Sequence, residues 1–81
     1  MPLSSAGIRE FLRDELGVDL TVLRDDTPLF SSGLLDSTMV TSLIAYAERE
    51  LGARFAVADL GVANFDSIDE VLAVGRARIS I

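Results

Sequence analysis

The chain has 81 residues, of which 13 are acidic and 7 basic, a net charge of -6, and no cysteine or histidine. Its length allows one domain, and a hydrophobic fraction of 49% with 25% charged residues is typical of a folded globular protein. The composition excludes disulfides, thiolate metal sites and histidine-based catalysis, and the acidic balance argues against nucleic-acid binding.

The first predicted helix runs from about Ser5 to Leu16. Apolar residues recur along it with helical spacing and form one stripe, made of Ile8, Phe11, Leu12 and Leu16. Ser4 or Ser5 suits the N-cap, and Gly17 suits the left-handed residue past the end. These signals predict an amphipathic helix with one buried face.

The helical period is lost between Val18 and Asp36. Apolar and polar residues alternate over positions 18–22 as in a short strand, but no second strand of similar quality exists to pair with it. We therefore predict a long loop with three buried apolar anchors, Leu20, Leu29 and Phe30. A loop this long in so small a domain commonly carries or supports function.

The second predicted helix begins near Asp36 or Ser37 and ends near Leu51, with Gly52 as the stop signal. Its buried stripe again has helical spacing and consists of Val40, Leu43, Ile44, Ala47 and Leu51. In the connection that follows, Asp59 suits the cap of a brief helical turn from Leu60 to Ala63. Asn64 in the left-handed conformation would close that turn.

The last predicted helix has the clearest start signal, a capping box formed by Ser67, Ile68, Asp69 and Glu70. Its inward positions are Ile68, Val71, Leu72 and Ile79. Gly75 on the same stripe predicts a close approach of another helix, and Arg76 and Arg78 complement the helix dipole. The elements together predict an all-α fold, a small four-helix bundle of three main helices and one short helix.

The segment Gly33-Leu34-Leu35-Asp36-Ser37 places a serine where the long loop meets the second helix. A phosphate esterified to Ser37 would lie beside free backbone N–H groups at the positive end of the helix dipole. An exposed hydroxyl there suits a site on which a modifying enzyme acts. An isolated Asp-Ser before a helix is most often only a cap, so its meaning depends on the surrounding sequence.

That surrounding sequence resembles the acyl carrier protein family over nearly the whole chain. DDTPLFSSGLLDS over residues 25–37 is similar to the family's approach to its modified serine, and FDSIDEV over residues 65–71 to its entry into the final helix. Between them, the family spacing also holds for Leu43, Ile44, Glu48, Leu51, Gly52 and Phe55. The form Gly-Leu-Leu-Asp-Ser most resembles D-alanyl carrier proteins and other stand-alone acyl or peptidyl carriers.

The resemblance implies an acyl-carrier-like bundle that acts as a carrier and not as an enzyme. A phosphopantetheinyl transferase would move 4'-phosphopantetheine from coenzyme A to Ser37. Asp36 corresponds to the family's acidic residue that assists the transfer with a metal ion, and a helix cap is its structural alternative. The arm would hold acyl or aminoacyl cargo as a thioester, and tethering raises the effective concentration of that cargo at each partner.

The implied partners are a cargo-loading ligase, adenylation enzyme or acyltransferase, and downstream biosynthetic enzymes. Where fatty-acid carriers have a leucine and acidic residues after the serine, this chain has Thr38, Met39 and Ser42. This favours hydrophobic contact of partners with Met39, for which a flexible core filler is the alternative. The predicted partner-contacting residues are Leu35, Thr38, Met39, Ser42 and Glu48.

The cargo is a separate question. The Gly-Leu-Leu-Asp-Ser form favours an aminoacyl group or an intermediate of specialised metabolism, and malonyl-type and fatty acyl groups are the alternatives.

Two other classes of protein would explain parts of the sequence. A helical adaptor with Ser37 unmodified or phosphorylated explains the bundle and the acidity, but not the carrier spacing of several motifs. A carboxylate-based hydrolase needs an acid and a base facing a cleft, and no spacing places two carboxylates on a buried face. No apolar run spans a membrane and residues 1–5 lack signal-peptide features, so we expect a cytoplasmic monomer with no membrane insertion and no metal site of its own.

Overall fold

The computed structural model describes residues 3–55 and 62–79. Within these ranges the chain forms α1 (Ser5–Leu16), a 3-10 turn (Leu20–Val22), α2 (Ser37–Leu51), a second 3-10 turn (Val62–Phe65) and α3 (Ile68–Ile79). The described part of the chain contains no strand, so the predicted all-α class is confirmed. The predicted short fourth helix, Leu60 to Ala63, lies partly outside the described residues, and the described residues there form the 3-10 turn Val62–Phe65.

The ends of α1 and α2 follow from local capping groups. Ser4 Oγ accepts a hydrogen bond of 3.1 Å from the Gly7 N–H at the start of α1. Gly17 and Gly52 end the two helices with φ of 69° and 67°, a left-handed conformation that glycine adopts without steric cost. The predicted bounds of both helices are confirmed.

Helix α3 begins at the predicted capping box. The Glu70 N–H donates to Ser67 Oγ at 3.1 Å, and Ser67 Oγ donates to Glu70 Oε1 at 3.2 Å. The serine is itself buried, so this cap also satisfies a polar group inside the protein. Arg76 lies exposed near the end of the helix, as predicted.

The apolar stripes of the three helices meet in one core, as their periodicity predicts. The fully or almost fully buried helical residues include Ile8, Leu12, Val40, Leu43, Ala47, Ile68, Val71 and Leu72. Phe11, Leu16, Ile44 and Leu51 lie at the edge of this core and are partly buried. Phe65 of the second 3-10 turn is fully buried and packs edge-on against Phe55, with ring centroids 5.2 Å apart.

The anchors of the long loop differ from the predicted set. Leu29 is buried and Leu20 is partly buried, but the prediction for Phe30 is wrong, because its side chain is 36% exposed. Leu23 and Leu35 are buried in its place. The Leu35 N–H donates to the Leu29 carbonyl at 2.9 Å, so these two leucines form the base of a turn and Phe30 lies on its protruding part.

The second 3-10 turn also departs from the prediction. Asn64 lies inside this turn, and no described residue other than glycine has a positive φ, so the left-handed closing residue was wrongly assigned. Predictions for Asp59, Leu60 and the side chains of Arg78 and Ile79 concern positions outside those that the structure describes.

Asp25 joins the long loop to two helices. Its carboxylate accepts hydrogen bonds from Ser5 Oγ at 2.9 Å and from Arg9 Nη2 at 2.8 Å, both on α1. Its backbone carbonyl accepts from the Asp69 N–H of α3 at 2.9 Å. The charge of Asp25 therefore has a structural partner within the fold. No helix of the described ranges is both long and apolar enough to cross a bilayer.

Gly75 lies where α3 packs against α2, but the closest approach to it comes from Leu3, before α1, and not from another helix as predicted. A Cβ atom built on Gly75 would lie 3.6 Å from Leu51 Cδ1 of α2 and 3.1 Å from Leu3 Cδ2. The space at this position is therefore already filled by leucine side chains, and a branched side chain would displace them.

Replacing Gly75 by valine is expected to lower the free energy of unfolding by about 1–3 kcal/mol, the usual cost of overpacking a core. Ala73→Val places the same side chain at an exposed position of α3 and should cost about 0.5 kcal/mol through helix propensity alone. Urea unfolding of both variants measures the difference. Equal effects at the two positions would contradict the packing role of Gly75.

Candidate functional site

Ser37 is the first residue of α2, and its side chain is exposed. Asp36 precedes it as the N-cap, and its Oδ1 accepts a 2.8 Å hydrogen bond from the Met39 N–H. The other backbone N–H groups of a first helical turn have no acceptor within the helix. The Ser37 hydroxyl therefore lies at the positive end of the α2 dipole, on the surface.

The carboxylate of Asp36 is only partly engaged by its capping role. Oδ1 is occupied by the Met39 N–H, whereas Oδ2 accepts no hydrogen bond from the described residues. The side chain is exposed. Asp36 thus combines the predicted cap with a free acidic oxygen beside the serine.

The residues before this site form a narrow loop, which we call the presenting loop and define as residues 29–35. Its two ends are joined by the hydrogen bond from the Leu35 N–H to the Leu29 carbonyl, 2.9 Å long. Within it, the Gly33 N–H donates to the Phe30 carbonyl at 3.0 Å, and Gly33 has φ of 86°. Both end leucines are buried, so Ser37 follows two residues after a fixed point of the core.

Asp66, between the second 3-10 turn and α3, binds the start of the presenting loop. Its Oδ1 accepts from the N–H groups of Phe30 at 2.7 Å and Ser31 at 2.9 Å, and its Oδ2 accepts from Ser31 Oγ at 2.6 Å. Its backbone carbonyl accepts from the Leu29 N–H at 2.6 Å. The hydrogen bonds from the Ser31 hydroxyl and N–H lower the pKa of the Asp66 carboxyl below its usual value.

The sequence analysis did not identify Asp66. Its partners lie 35 and 36 residues earlier in the chain, and no local pattern indicates such a contact. The one sequence feature that could have indicated it is its place directly before the Ser67 cap, in a segment that resembles the family.

The structure corrects one of the predicted partner-contacting residues. Leu35 is only 2% exposed and belongs to the core, whereas its neighbour Leu34 is 36% exposed. The prediction assigned the surface role to the wrong leucine of the pair, because an aperiodic loop gives no sign of which side faces inward.

The other predicted contact residues have mixed environments. Thr38 is exposed, and Met39 is partly buried and packs against the core. Ser42 Oγ donates to the Thr38 carbonyl at 3.3 Å. Glu48 Oε2 accepts from the Phe55 N–H at 2.8 Å, so Glu48 holds the segment that follows α2. No group of acidic side chains within the described ranges is arranged to hold a metal ion.

Comparison with known proteins gives one match. A family model described as phosphopantetheine attachment site matches residues 6–74. The matched range includes α1 from its second residue onward, the presenting loop, Asp36, Ser37 and the first turns of α3. No curated protein and no solved structure matches the chain significantly.

The hydrogen bonds of Asp66 are expected to make stability depend on pH. Because its pKa is lowered in the folded state, the carboxylate stabilises the fold above the unfolded value of 3.8. This contribution is lost as the pH falls through the folded-state pKa. At neutral pH, Asp66→Asn should lower the free energy of unfolding by about 1 kcal/mol, and the gap from the wild type should shrink below pH 3.8.

Urea unfolding at several pH values measures this gap. Asp69→Asn is the matched control, because it removes the same charge three residues away without touching the presenting loop. A gap between wild type and Asp66→Asn that stays constant down to about pH 2 would contradict the role of the Asp66 charge.

Proposed function

The chain belongs to the phosphopantetheine attachment site family, and from this premise we propose that Ser37 is the residue to which the phosphopantetheine arm is attached. Proteins of this family are carriers. They hold 4'-phosphopantetheine covalently and present the cargo on it to biosynthetic enzymes, and they are not themselves catalysts.

The observation that supports this assignment is which serine hydroxyls form hydrogen bonds within the fold and which do not. Ser37 Oγ is exposed and forms no hydrogen bond with another described residue. Every other described serine has its hydroxyl engaged in a hydrogen bond within the fold, namely Ser4, Ser5, Ser31, Ser32, Ser42 and Ser67. A hydroxyl that is bonded within the fold must give up that bond before it can enter a transferase site, and the Ser37 hydroxyl has no such bond to break.

The attachment reaction transfers one group from coenzyme A. Ser37 Oγ attacks the phosphorus nearest the pantetheine, and a new O–P bond forms. The bond from that phosphorus to the bridging oxygen breaks, and the adenosine bisphosphate half leaves. The hydroxyl proton passes to a base of the transferase. The resulting phosphodiester anion lies at the positive end of α2, which favours it.

Asp36 is proposed to assist this transfer. Its free carboxylate oxygen is one residue from the nucleophile, where it can contribute a ligand to the divalent cation that accompanies a pyrophosphate substrate. The cation would also offset the repulsion between the Asp36 carboxylate and the incoming phosphate. Its capping bond to the Met39 N–H holds the carboxylate in place meanwhile.

The finer assignment concerns cargo and partners. The Gly-Leu-Leu-Asp-Ser form supports aminoacyl or specialised-metabolite cargo, loaded by a ligase, adenylation enzyme or acyltransferase. Phe30 and Leu34, in the loop that precedes the attachment site, are each 36% exposed, which supports partner contacts that are more apolar than ionic. We place the carrier in the cytoplasm as a monomer, where the transferase and coenzyme A would reach it.

Incubation with a broad-specificity phosphopantetheinyl transferase, magnesium and coenzyme A tests the attachment site. Intact mass should increase by one phosphopantetheine on the wild type and not on Ser37→Ala. Ser4→Ala, a serine before α1 whose hydroxyl is already hydrogen-bonded, is the control and should be modified normally. A folded wild type that gains no mass would favour an adaptor that binds a partner without the arm.

Met39→Glu tests the apolar partner contact. Because a charge at this half-buried position would be desolvated in the complex, loading of the holo protein by its cognate ligase or acyltransferase should slow by about fivefold or more. Ala45→Glu adds the same charge at an exposed position further along α2 and should change loading little. Circular dichroism confirms that both variants are folded, and unchanged loading of Met39→Glu would refute the contact.

A further inference from the structure

We propose that Asp66 is a positioning residue for the attachment of the arm, because it holds the presenting loop in the conformation that exposes Ser37 to the transferase. The inference rests on the proposed function of Ser37 and extends it to a residue far away in the sequence. Asp66 does not touch the reacting hydroxyl, so it acts only through the loop.

The presenting loop has little hydrophobic packing of its own. Leu29 and Leu35 are buried at its two ends, but all five residues between them, 30–34, are exposed. Its conformation therefore depends on hydrogen bonds. Burial fixes where the loop begins and ends but not the path between those points.

Several hydrogen bonds of the loop are internal and move with it. They join Gly33 to Phe30, Leu35 to Leu29, and the Ser32 hydroxyl to the Leu29 carbonyl. The Ser32 hydroxyl also donates to the carbonyl of Pro28, the residue before the loop. Within the described residues, the bonds that tie the loop to a segment distant in the sequence all end on Asp66. They come from the backbone N–H groups of Leu29, Phe30 and Ser31 and from the Ser31 hydroxyl.

The position of the Asp66 contact on the loop explains how it can affect the exposure of Ser37. Asp66 fixes the first half of the loop, and the second half leads through buried Leu35 to the Asp36 cap and Ser37. Phe30 and Leu34 are exposed on the loop that leads to Ser37, and we expect an enzyme that reaches Ser37 to contact them. Without the Asp66 contacts, the loop would populate other paths that place these two side chains elsewhere.

The expected kinetic signature is a change in KM. If only a fraction of the free carrier has the competent loop conformation, the apparent affinity of the transferase falls by that fraction. The chemical step after binding uses the same loop conformation and the same hydroxyl, so kcat should be preserved. A residue that merely stabilised the fold would change neither parameter under conditions where the variant is fully folded.

The experiment measures steady-state kinetics of arm transfer for the full chain. The variants are Asp66→Asn, Ser31→Ala, the double variant, and Asp69→Asn as a control for loss of charge near the start of α3. We expect Asp66→Asn to raise KM about tenfold with kcat within about twofold, and Ser31→Ala to shift KM less in the same direction. Asp69→Asn should match the wild type.

Two further readouts separate positioning from general stability. The KM effects of Asp66→Asn and Ser31→Ala should combine to less than their product, since both variants break the same contact. Amide hydrogen exchange should accelerate at Phe30 and Ser31 in Asp66→Asn and remain unchanged in the α2 core. If Asp66→Asn does not fold, the exposed substitution Ser31→Ala decides by the same criteria.

The outcomes distinguish this inference from the function on which it rests. A wild type that accepts the arm on Ser37, together with a folded Asp66→Asn that has wild-type KM, overturns the positioning role alone. A fall in kcat at constant KM overturns it as well. A wild type that accepts no arm on Ser37 overturns the proposed attachment site and this inference with it.

Discussion

The structure depends on how its long first connection is held. Ordering each residue of such a segment costs on the order of 1–2 kcal/mol of conformational entropy, and the segment between α1 and α2 has few buried side chains to offset this cost. Two aspartates supply the missing contacts. Asp25 joins the loop to α1 and to the start of α3, and Asp66 joins the presenting loop to the segment before α3. The middle and the second half of the connection are thus fixed to other parts of the fold.

The helices were predictable because their signals are local. Ser4, Gly17, Asp36, Gly52 and Ser67 each lie within a few residues of the helix end that they define, and the sequence shows both the cap and the apolar stripe beside it. The same holds for Asp36 and Ser37 as a pair at the start of a helix. Their position required no knowledge of the rest of the fold.

The loop was predicted less well because burial without periodicity is decided by distant contacts. Phe30 and Leu35 are both apolar, yet the first is partly exposed and the second is buried. The choice between them follows from the Leu29 and Leu35 hydrogen bond and from Asp66, whose partners are 35 and 36 residues away. The free state of the Ser37 hydroxyl likewise became visible only when the bonds of the other serines were known.

The exposure of Phe30 and Leu34 has a consequence for how long a partner stays bound. Each of these side chains is already about two-thirds covered, because 36% of its surface is exposed. Covering what remains would stabilise a complex by only about 1 kcal/mol for each side chain. Differences in affinity between related complexes are set largely by the dissociation rate. An apolar contact as small as this one therefore corresponds to a short residence time. Brief encounters suit a protein that must leave one enzyme in order to deliver its cargo to the next.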